Sequence, residues 1–411
     1  MEIITIGTEL LLGFGIDSNA VYLGKVLAEF GIPLTRRTTV ADDVEAIKAA
    51  VGEALTRTGM VITTGGLGPT SDDVTVTAVA AMANAGLHFD DEVWKAITER
   101  YTSRGLQPAD PNRSQAMIPD GAEVLPNRWG TAPGLWFDTG NGVVIALPGV
   151  PREMRNLFEQ EVVPRLHAGA TVIRSATLRT NGVAESALAE RIGTLGEQLP
   201  PLTLAYLPGF TGVDLRLTAW GMEPDVAGEL LARGISRLRD AVGPCVYGEG
   251  DVDIAALVID ELRARNWKIA VAESCTGGLL GARITAVPGA SDVFVGGVIA
   301  YDNAVKVGDL GVASDVLDEH GAVSAEAARA MASGIASRMH APVTISLTGI
   351  AGPSGGSDNK PVGTVFVAWS IAGEVEAKRV IFPGDRDEIR ARAAQTALVE
   401  LWRRIVDRHP V

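Results

Sequence analysis

The segment Ala272-Glu273-Ser274-Cys275-Thr276-Gly277-Gly278 joins a predicted strand to a predicted helix and decides the fold of the last third of the chain. Residues 267–272 form an apolar run typical of a buried strand, and residues 279–287 continue as an apolar helix. The two glycines allow the tight turn between them. Free N–H groups at the helix start favour developing negative charge, so Ser274 occupies a position suited to a nucleophile. A serine that only caps the helix fits this position equally well.

A nucleophilic serine needs a base, and histidine is a poor candidate here. The five histidines, His88, His167, His320, His340 and His409, all lie outside the motifs. Lysine is the other common proton acceptor, because burial lowers its pKa. Lys306 lies five residues after Tyr301, where a predicted strand ends. The patterns G-x-S-x-G and S-x-x-K are excluded, because Ala272, Thr276 and Gly277 occupy the positions that they require. Cys275 remains an alternative nucleophile, although a lone cysteine is usually a small core residue.

Short β-rich runs alternate with helical patterns along the 411 residues, a length that suggests two to four domains. Strands at 3–6, 34–40 and 60–64 alternate with helices at 18–30, 44–56 and 74–85. Residues 170–250 predict a β-α-β-β-α order. The last part begins with a helix at 254–265, has strands near Lys268, Val293, Val343 and Thr364, and ends in a helix at 388–406. We therefore expect an α/β protein: two parallel or mixed-sheet, three-layer domains at 1–168 and 251–411, joined by a small α+β middle domain at 169–250.

A second glycine-rich turn, Thr63-Thr64-Gly65-Gly66-Leu67-Gly68-Pro69-Thr70-Ser71-Asp72-Asp73, follows an apolar strand near the N-terminus. Backbone N–H groups of Gly65, Gly66, Gly68 and Thr70 are expected to form a nest for phosphate. Asp72 and Asp73 would repel a bare phosphate, so they suggest a divalent cation bridging them to it. Glu9 and Asn19, after the first strand, are expected at the same sheet edge. The alternatives are plain turn chemistry for the glycines and helix capping for the acids.

Three further features are open to two interpretations each. The loop Gly349-Ile350-Ala351-Gly352-Pro353-Ser354-Gly355-Gly356-Ser357 either wraps an anionic ligand or is only flexible. Arg386 and Arg390, one helical turn apart, are candidate phosphate clamps or solvated surface residues, and the surface interpretation is favoured for Arg386. Gly209-Phe210-Thr211-Gly212 has the G-x-x-G pattern of a KH nucleic-acid loop, but it joins two predicted strands without basic neighbours, so a hairpin turn is expected.

Four motifs occur in order in the last part of the chain: residues 272–278, Tyr301-Asp302-Asn303 with Lys306, Gly349-Ile350-Ala351-Gly352-Pro353 and Phe382-Pro383-Gly384-Asp385-Arg386. This series closely resembles the C-terminal domain of the CinA (competence/damage-inducible protein A) family. The resemblance extends over nearly the whole chain. It implies a nicotinamide-nucleotide amidase that converts nicotinamide mononucleotide to nicotinate mononucleotide and ammonia, with no cofactor. The expected catalytic residues are Ser274, Lys306 and Tyr301. Substrate binding is expected at Glu273, which would offset the pyridinium charge, and at Cys275, Thr276, Gly277, Thr348, Gly349, Gly352 and Arg390.

The N-terminal half resembles the molybdopterin-binding fold, which in this family is associated with metal-dependent ADP-ribose pyrophosphatase activity. The resemblance implies a divalent cation (Mg, Mn or Co) at Asp72 and Asp73 and a homodimer. A non-catalytic nucleotide sensor linked to competence or DNA damage is the alternative function. The net charge of −14 argues against nucleic-acid binding. Two cysteines, no basic leader and no apolar run of membrane length lead us to expect a cytoplasmic protein without membrane partners.

Overall fold

The protein is described from a computed structural model that covers residues 1–166 and 171–408. It divides into two compact units. Among the described residues, the first contains everything before Ser175 together with Ala219–Leu230, and the second contains Ser175–Thr218 and everything from Leu231 onward.

The first unit is built on a six-stranded sheet in the order β2-β1-β3-β8-β7-β6, with β4 and β5 paired separately. Its strands are β1 Glu2–Ile6, β2 Arg36–Val40, β3 Met60–Thr64, β4 Leu87–Phe89, β5 Met117–Pro119, β6 Glu123–Leu125, β7 Gly134–Asp138 and β8 Val143–Leu147. Its helices are α1 Thr8–Leu11, α2 Ser18–Glu29, α3 Val44–Thr58, α4 Thr75–Met82, α5 Asp91–Thr102 and α6 Pro151–Leu157. Strands β2, β1, β3 and β8 are parallel, so their carboxyl ends share one edge.

Two helical layers cover this sheet. One apolar cluster joins α2 and α6 to one face through Leu23, Leu27 and Leu157. A second joins α3 and α4 to the other face through Val51 and Val79. Aspartates cap the N-termini of α2, α3 and α5 by accepting from backbone N–H groups, which explains where these helices begin.

The middle segment forms a four-stranded sheet in the order β10-β11-β9-β12. Its elements are β9 Val172–Thr180, α7 Glu185–Ile192, β10 Thr203–Gly209, β11 Gly212–Met222, α8 Pro224–Val242 and β12 Val246–Glu249. Strands β10 and β11 are antiparallel and Gly209 pairs with Gly212, so the G-x-x-G sequence is a hairpin turn. Strand β12 was not expected from the sequence, since its four residues carry no extended apolar run.

The C-terminal part of the second unit is built on a five-stranded mixed sheet in the order β14-β13-β15-β16-β17. Its strands are β13 Ile269–Glu273, β14 Phe294–Ile299, β15 Val343–Gly349, β16 Thr364–Ile371 and β17 Glu374–Ile381. Its helices are α9 Ile254–Ala264, α10 Leu279–Thr285, α11 Asn303–Leu310, α12 Ser314–His320, α13 Ala325–Met339 and α14 Arg386–Arg408. Strand β17 is a partly exposed edge strand of mixed polarity, which is why its sequence gave no strand signal.

Helices lie on both faces of this sheet as well. A large cluster packs α9 and α14 on one face through Val258, Leu262 and Leu398, and a smaller one packs α11 and α13 on the other through Leu310 and Ile335. Two three-layer α/β parts and a small α+β segment between them in sequence confirm the predicted fold class. Within the described ranges, no helix is both long and apolar enough to cross a membrane.

Candidate active site

Ser274 directly follows β13, an interior strand of the C-terminal sheet. Strand β13 pairs in parallel with β14 and β15, and the Ser274 N–H donates to the carbonyl of Leu347 at 2.9 Å. Ser274 is only 9% exposed. Gly277 and Gly278 have φ of 60° and 95°, the left-handed region that favours glycine, and they turn the chain into α10. The predicted strand–turn–helix position of Ser274 is therefore confirmed.

The Glu273 carboxylate contacts the start of α10 and not the expected ligand site. Its carboxylate is 1% exposed and accepts from the N–H groups of Gly278, Leu280 and Gly281 at 3.0, 3.0 and 2.8 Å. These are the groups at the start of α10, so the helix terminus is already neutralised and is not free to hold an oxyanion. The role of Glu273 in offsetting a ligand charge is corrected, because its oxygens are bound by this helix.

Of the three backbone N–H groups expected to hold an oxyanion, those of residues 275–277, two remain candidates. The Gly277 N–H donates to the carbonyl of Ser274 at 3.1 Å. No backbone carbonyl among the described residues accepts from the N–H groups of Cys275 and Thr276, although the Cys275 N–H interacts with its own thiol. These two N–H groups adjoin the serine in sequence and are the remaining candidates for an oxyanion hole.

Lys306 is a buried lysine on α11 with an exposed fraction of 1%. Its Nζ donates to the backbone carbonyls of Ala300 and Tyr301 at 2.8 and 3.2 Å. Burial lowers the pKa of Lys306, and the charge of Asp302 opposes this shift. The two carbonyls occupy two of the three hydrogen positions of the ammonium group, so the third is left for proton exchange.

Ser274 and Lys306 line one cavity of about 380 Å³ at the carboxyl ends of β13 and β15. Of the predicted site residues, the cavity brings together Ser274, Cys275, Tyr301, Lys306, Thr348, Gly349 and Gly352. Glu273, Thr276, Gly277 and Arg390 do not line it. Asn303 and Ser354 do, and although both lie in motifs singled out in the sequence, neither was predicted as a site residue.

The structure gives Arg386 and Arg390 of α14 the opposite roles from those expected: Arg386 lines the cavity and Arg390 does not. Arg390 donates from Nε and Nη2 to the carbonyl of Thr276 at 3.3 and 3.0 Å and pairs with Asp387, so it supports the serine turn from outside the cavity. Arg386 lines the cavity and donates to the carbonyl of Gly352 at 2.6 Å and to the Tyr301 hydroxyl at 3.0 Å. The preference for Arg390 over Arg386 as a phosphate clamp is corrected on this geometry.

The Tyr301 side chain does not contact Lys306 through a hydrogen bond. Its backbone carbonyl accepts from Lys306 Nζ, whereas its hydroxyl accepts from Arg386 Nη2. The ring is 62% exposed. The predicted assistance of Tyr301 to the lysine therefore comes from its main chain, and its phenol belongs with Arg386 at the rim of the cavity.

Cys275 lines the cavity but is a poor nucleophile. Burial raises the pKa of its thiol to about 12, so the thiol stays protonated at neutral pH. Because the thiolate is the reactive form, Ser274 is the better candidate of the two neighbours.

In the first unit, the glycine turn after β3 is largely satisfied by its own neighbours. The Gly65 N–H donates to the carbonyl of Leu147, and the Thr70 N–H donates to the Asp73 carboxylate at 2.8 Å. The expected phosphate nest is therefore reduced to the N–H groups of Gly66 and Gly68. A side chain at Gly65 would collide with the carbonyl of Ile6 at 2.2 Å, so this glycine is required by the close approach of two strand ends.

Asp72 and Asp73 do not form a ready metal site. The Asp73 carboxylate accepts from both the N–H and the hydroxyl of Thr70, while Asp72 lies exposed. Over residues 1–166 and 171–408, no group of three or more His, Cys, Asp or Glu side chains is arranged to hold a metal ion. The structure thus favours turn capping for Asp73, and the two acids by themselves do not form a preassembled cation site.

Two cavities lie beside this turn. One, of about 120 Å³, is lined by Gly66, Gly68 and Asp73. The other, of about 230 Å³, is lined by Glu9 and Asn19. The predicted N-terminal site residues therefore do not share one cavity: five of them are divided between these two, and Gly65, Thr70 and Asp72 line neither.

Fold and sites together define a class of protein: three-layer α/β parts with ligand cavities at the carboxyl edges of their sheets. Family models match most of the chain. Residues 2–168 match the "Probable molybdopterin binding domain", residues 175–248 the "Damage-inducible protein CinA KH domain" and residues 251–405 the "CinA C-terminal domain". The middle segment is thus similar to a domain that carries the KH name, although its G-x-x-G sequence is a hairpin turn between two strands.

Relatives show the same relationship over the full length. The chain is 51% identical to a CinA-like protein of Gemmatimonas aurantiaca over 98% of this chain and 96% of the relative. It is 41% identical to a CinA-like protein of Dictyoglomus thermophilum over 99% of each. The chain belongs to the CinA family. A solved competence damage-inducible protein A from Klebsiella pneumoniae is 37% identical over 38% of this chain and 97% of that one, with a TM-score of 0.37.

Proposed function

We propose that the C-terminal part of the second unit hydrolyses the carboxamide of nicotinamide mononucleotide to nicotinate mononucleotide and ammonia. The observation that carries this proposal is the presence of Ser274 and the buried Lys306 in one cavity. The family resemblance supplies the substrate, and the two side chains supply the chemistry.

In the proposed reaction, neutral Lys306 accepts the hydroxyl proton of Ser274 as the serine oxygen attacks the carboxamide carbon. In this proposal, the N–H groups of Cys275 and Thr276 stabilise the oxyanion of the tetrahedral intermediate. The Lys306 ammonium then protonates the leaving nitrogen, the C–N bond breaks, and ammonia departs from an acyl-serine. Water, deprotonated by Lys306, attacks the ester carbon; nicotinate mononucleotide leaves and the serine regains its proton.

The substrate also carries a phosphate, and Arg386 is the proposed contact for it. Arg386 and Lys306 are the cationic side chains of the cavity lining, and Lys306 is committed to the serine. The carbonyl of Gly352 and the Tyr301 hydroxyl hold the guanidinium at the rim. A guanidinium fixed by neutral partners keeps its charge available to a phosphate.

The test is ammonia release by the purified chain with nicotinamide mononucleotide in excess. We expect steady turnover by the unaltered protein and by Cys275→Ser. Ser274→Ala should lose on the order of 10³-fold or more in kcat. A protein that binds the nucleotide but releases no ammonia over many hours would instead be a nucleotide sensor. Activity that survives Ser274→Ala but not Cys275→Ser would move the nucleophile to the thiol.

A second activity, cleavage of ADP-ribose at its diphosphate, is proposed for the first unit. The observation that favours it is the pair of cavities beside the glycine turn, at the edge where ligands of parallel sheets bind. Product analysis with ADP-ribose tests it: AMP and ribose 5-phosphate are expected. Unchanged ADP-ribose with and without added Mg²⁺, Mn²⁺ or Co²⁺ would remove this activity from the proposal.

A further inference from the structure

The cavity between the ends of β1 and β3 has a lining that accepts hydrogen bonds. It lies where the sheet order reverses, with β2 on one side of β1 and β3 on the other. Its polar residues are Thr5, Glu9, Asp17, Ser18, Asn19 and Thr64. Lysine and arginine are absent from the lining formed by the described residues. Arg37 offsets the charge of Asp17, but the exposed Glu9 carboxylate has no cation in the lining and would repel a phosphate, so the phosphate role expected for Glu9 and Asn19 does not suit this cavity.

Asn19 has a side-chain oxygen for which the described residues provide no hydrogen-bond donor. Its side-chain nitrogen donates to the Thr64 hydroxyl at 3.0 Å and to the carbonyl of Gly149 at 2.8 Å. The Thr64 hydroxyl itself donates to the carbonyl of Pro148, so it must accept from Asn19, and this fixes the orientation of the amide. The remaining atom, Asn19 Oδ1, is buried and has no partner among the described residues. A buried acceptor of this kind calls for a donor from outside the chain.

We propose that this cavity binds the hydroxyl groups of a ribosyl unit, with Asn19 Oδ1 and the Glu9 carboxylate as acceptors. Sugar hydroxyls are neutral donors, so they satisfy an acceptor-rich lining without the repulsion that a phosphate meets there. Asp17 contributes less, because its oxygens already accept from the Thr5 hydroxyl and the Ala20 N–H and pair with Arg37. The inference rests on the proposed ADP-ribose activity for its choice of ligand: the terminal, base-free ribose is assigned to this cavity.

The test compares two ligands that differ in that ribose and, as a consequence, in the one additional ionisable oxygen of the terminal phosphate. Calorimetric titration in Mg²⁺ buffer uses the α,β-methylene analogues of ADP-ribose and of ADP, which resist cleavage at the diphosphate. We expect the ribosyl analogue to bind at least about tenfold more tightly. Asn19→Ala and Glu9→Gln should each bring its affinity towards that of the ADP analogue and leave the ADP analogue unchanged. Glu9 is exposed, so Glu9→Gln folds even where the buried Asn19 variant does not.

Several results would overturn the assignment. The unaltered protein could bind the two analogues with equal affinity, or bind neither analogue. The Glu9→Gln variant could lose the same amount of affinity for both analogues. Mn²⁺ alone, titrated by electron paramagnetic resonance, gives another: tight binding that Glu9→Gln abolishes would make the cavity a cation site. Binding of the ribosyl analogue without hydrolysis of ADP-ribose would leave the sugar site standing and remove only the proposed cleavage.

Discussion

The chain contains two glycine-rich turns that follow parallel strands and carry acids, and these acids differ in their burial. In the C-terminal turn, Glu273 is buried and accepts from three backbone N–H groups, which frees the following serine to face a cavity. In the N-terminal turn, Asp73 accepts from Thr70 within the same loop and Asp72 is exposed. Both acids therefore shape their turns, and burial does not identify a ligand contact: the buried Glu273 does not line the C-terminal cavity, whereas Asp73 lines one of the N-terminal cavities.

The same contrast extends to the cations. Lys306 is held inside the C-terminal cavity by two carbonyls and has a lowered pKa. The lining of the cavity beside Glu9 and Asn19, as far as the structure describes it, contains no cation at all. The first arrangement suits proton transfer and the second suits neutral hydroxyl groups. Five tests sharpen or break this comparison.

The largest effect is expected at Lys306. Lys306→Arg and Lys306→Ala should both lower kcat for ammonia release by about 10²–10⁴-fold, because a guanidinium does not deprotonate and so replaces the charge but not the base. Initial rates of ammonia release at saturating nicotinamide mononucleotide measure this. An arginine variant within about tenfold of the unaltered protein would show that position 306 supplies only charge.

The pH profile of the unaltered protein gives the same test without a mutation. Because burial lowers the pKa of Lys306, the neutral amine forms at a lower pH than the ordinary lysine value of about 10.4. Activity should therefore rise with pH through that lowered pKa and level off above it. The Lys306→Ala variant serves as control, since its residual activity should lose this limb.

Glu273→Ala should destabilise the second unit by about 2–4 kcal/mol. It leaves buried N–H groups at the start of α10 without an acceptor. The matched control is Asp43→Ala, which removes an exposed cap of α3 and should cost about 1 kcal/mol. Thermal unfolding of both variants makes the comparison. A Glu273 variant no less stable than the Asp43 variant would mean that the buried acid is dispensable for the turn.

Arg386→Ala should lower kcat/KM for nicotinamide mononucleotide by about 10–100-fold, the loss of one charge-assisted contact to phosphate. For nicotinamide riboside, which lacks the phosphate, the change should stay within about threefold. Arg390→Ala is the control, since its guanidinium is bound to the carbonyl of Thr276 and should affect both substrates alike. An equal loss for both substrates in the Arg386 variant would assign it a structural role.

The smallest effect is expected from the N-terminal acids on the amidase. The double variant Asp72→Asn with Asp73→Asn, and separately a chelator, should leave nicotinamide mononucleotide deamidation within a few-fold. The proposed reaction uses a serine, a lysine and backbone N–H groups, and none of these needs a cation. A large loss of ammonia release under chelator would contradict the serine–lysine mechanism.

The sequence by itself determined the elements. Apolar runs and glycines marked most strands and helices, because periodicity and turn chemistry are local properties. The same local signals placed Ser274 on its turn and Lys306 one turn beyond a strand. They missed β17, an edge strand without an apolar run, because its pairing with β16 is a contact between neighbours in space.

Tertiary structure alone decided which polar groups are free. Glu273, Arg390 and Asp73 have the residue types of ligand contacts, but each is bound by the chain's own atoms. Arg386 is also bound by the chain's own atoms but lines a cavity, and Asn19 lines another cavity and has a side-chain oxygen without a partner among the described residues. The physical reason is that hydrogen-bond satisfaction depends on which distant backbone groups arrive nearby, and only the folded chain brings them together.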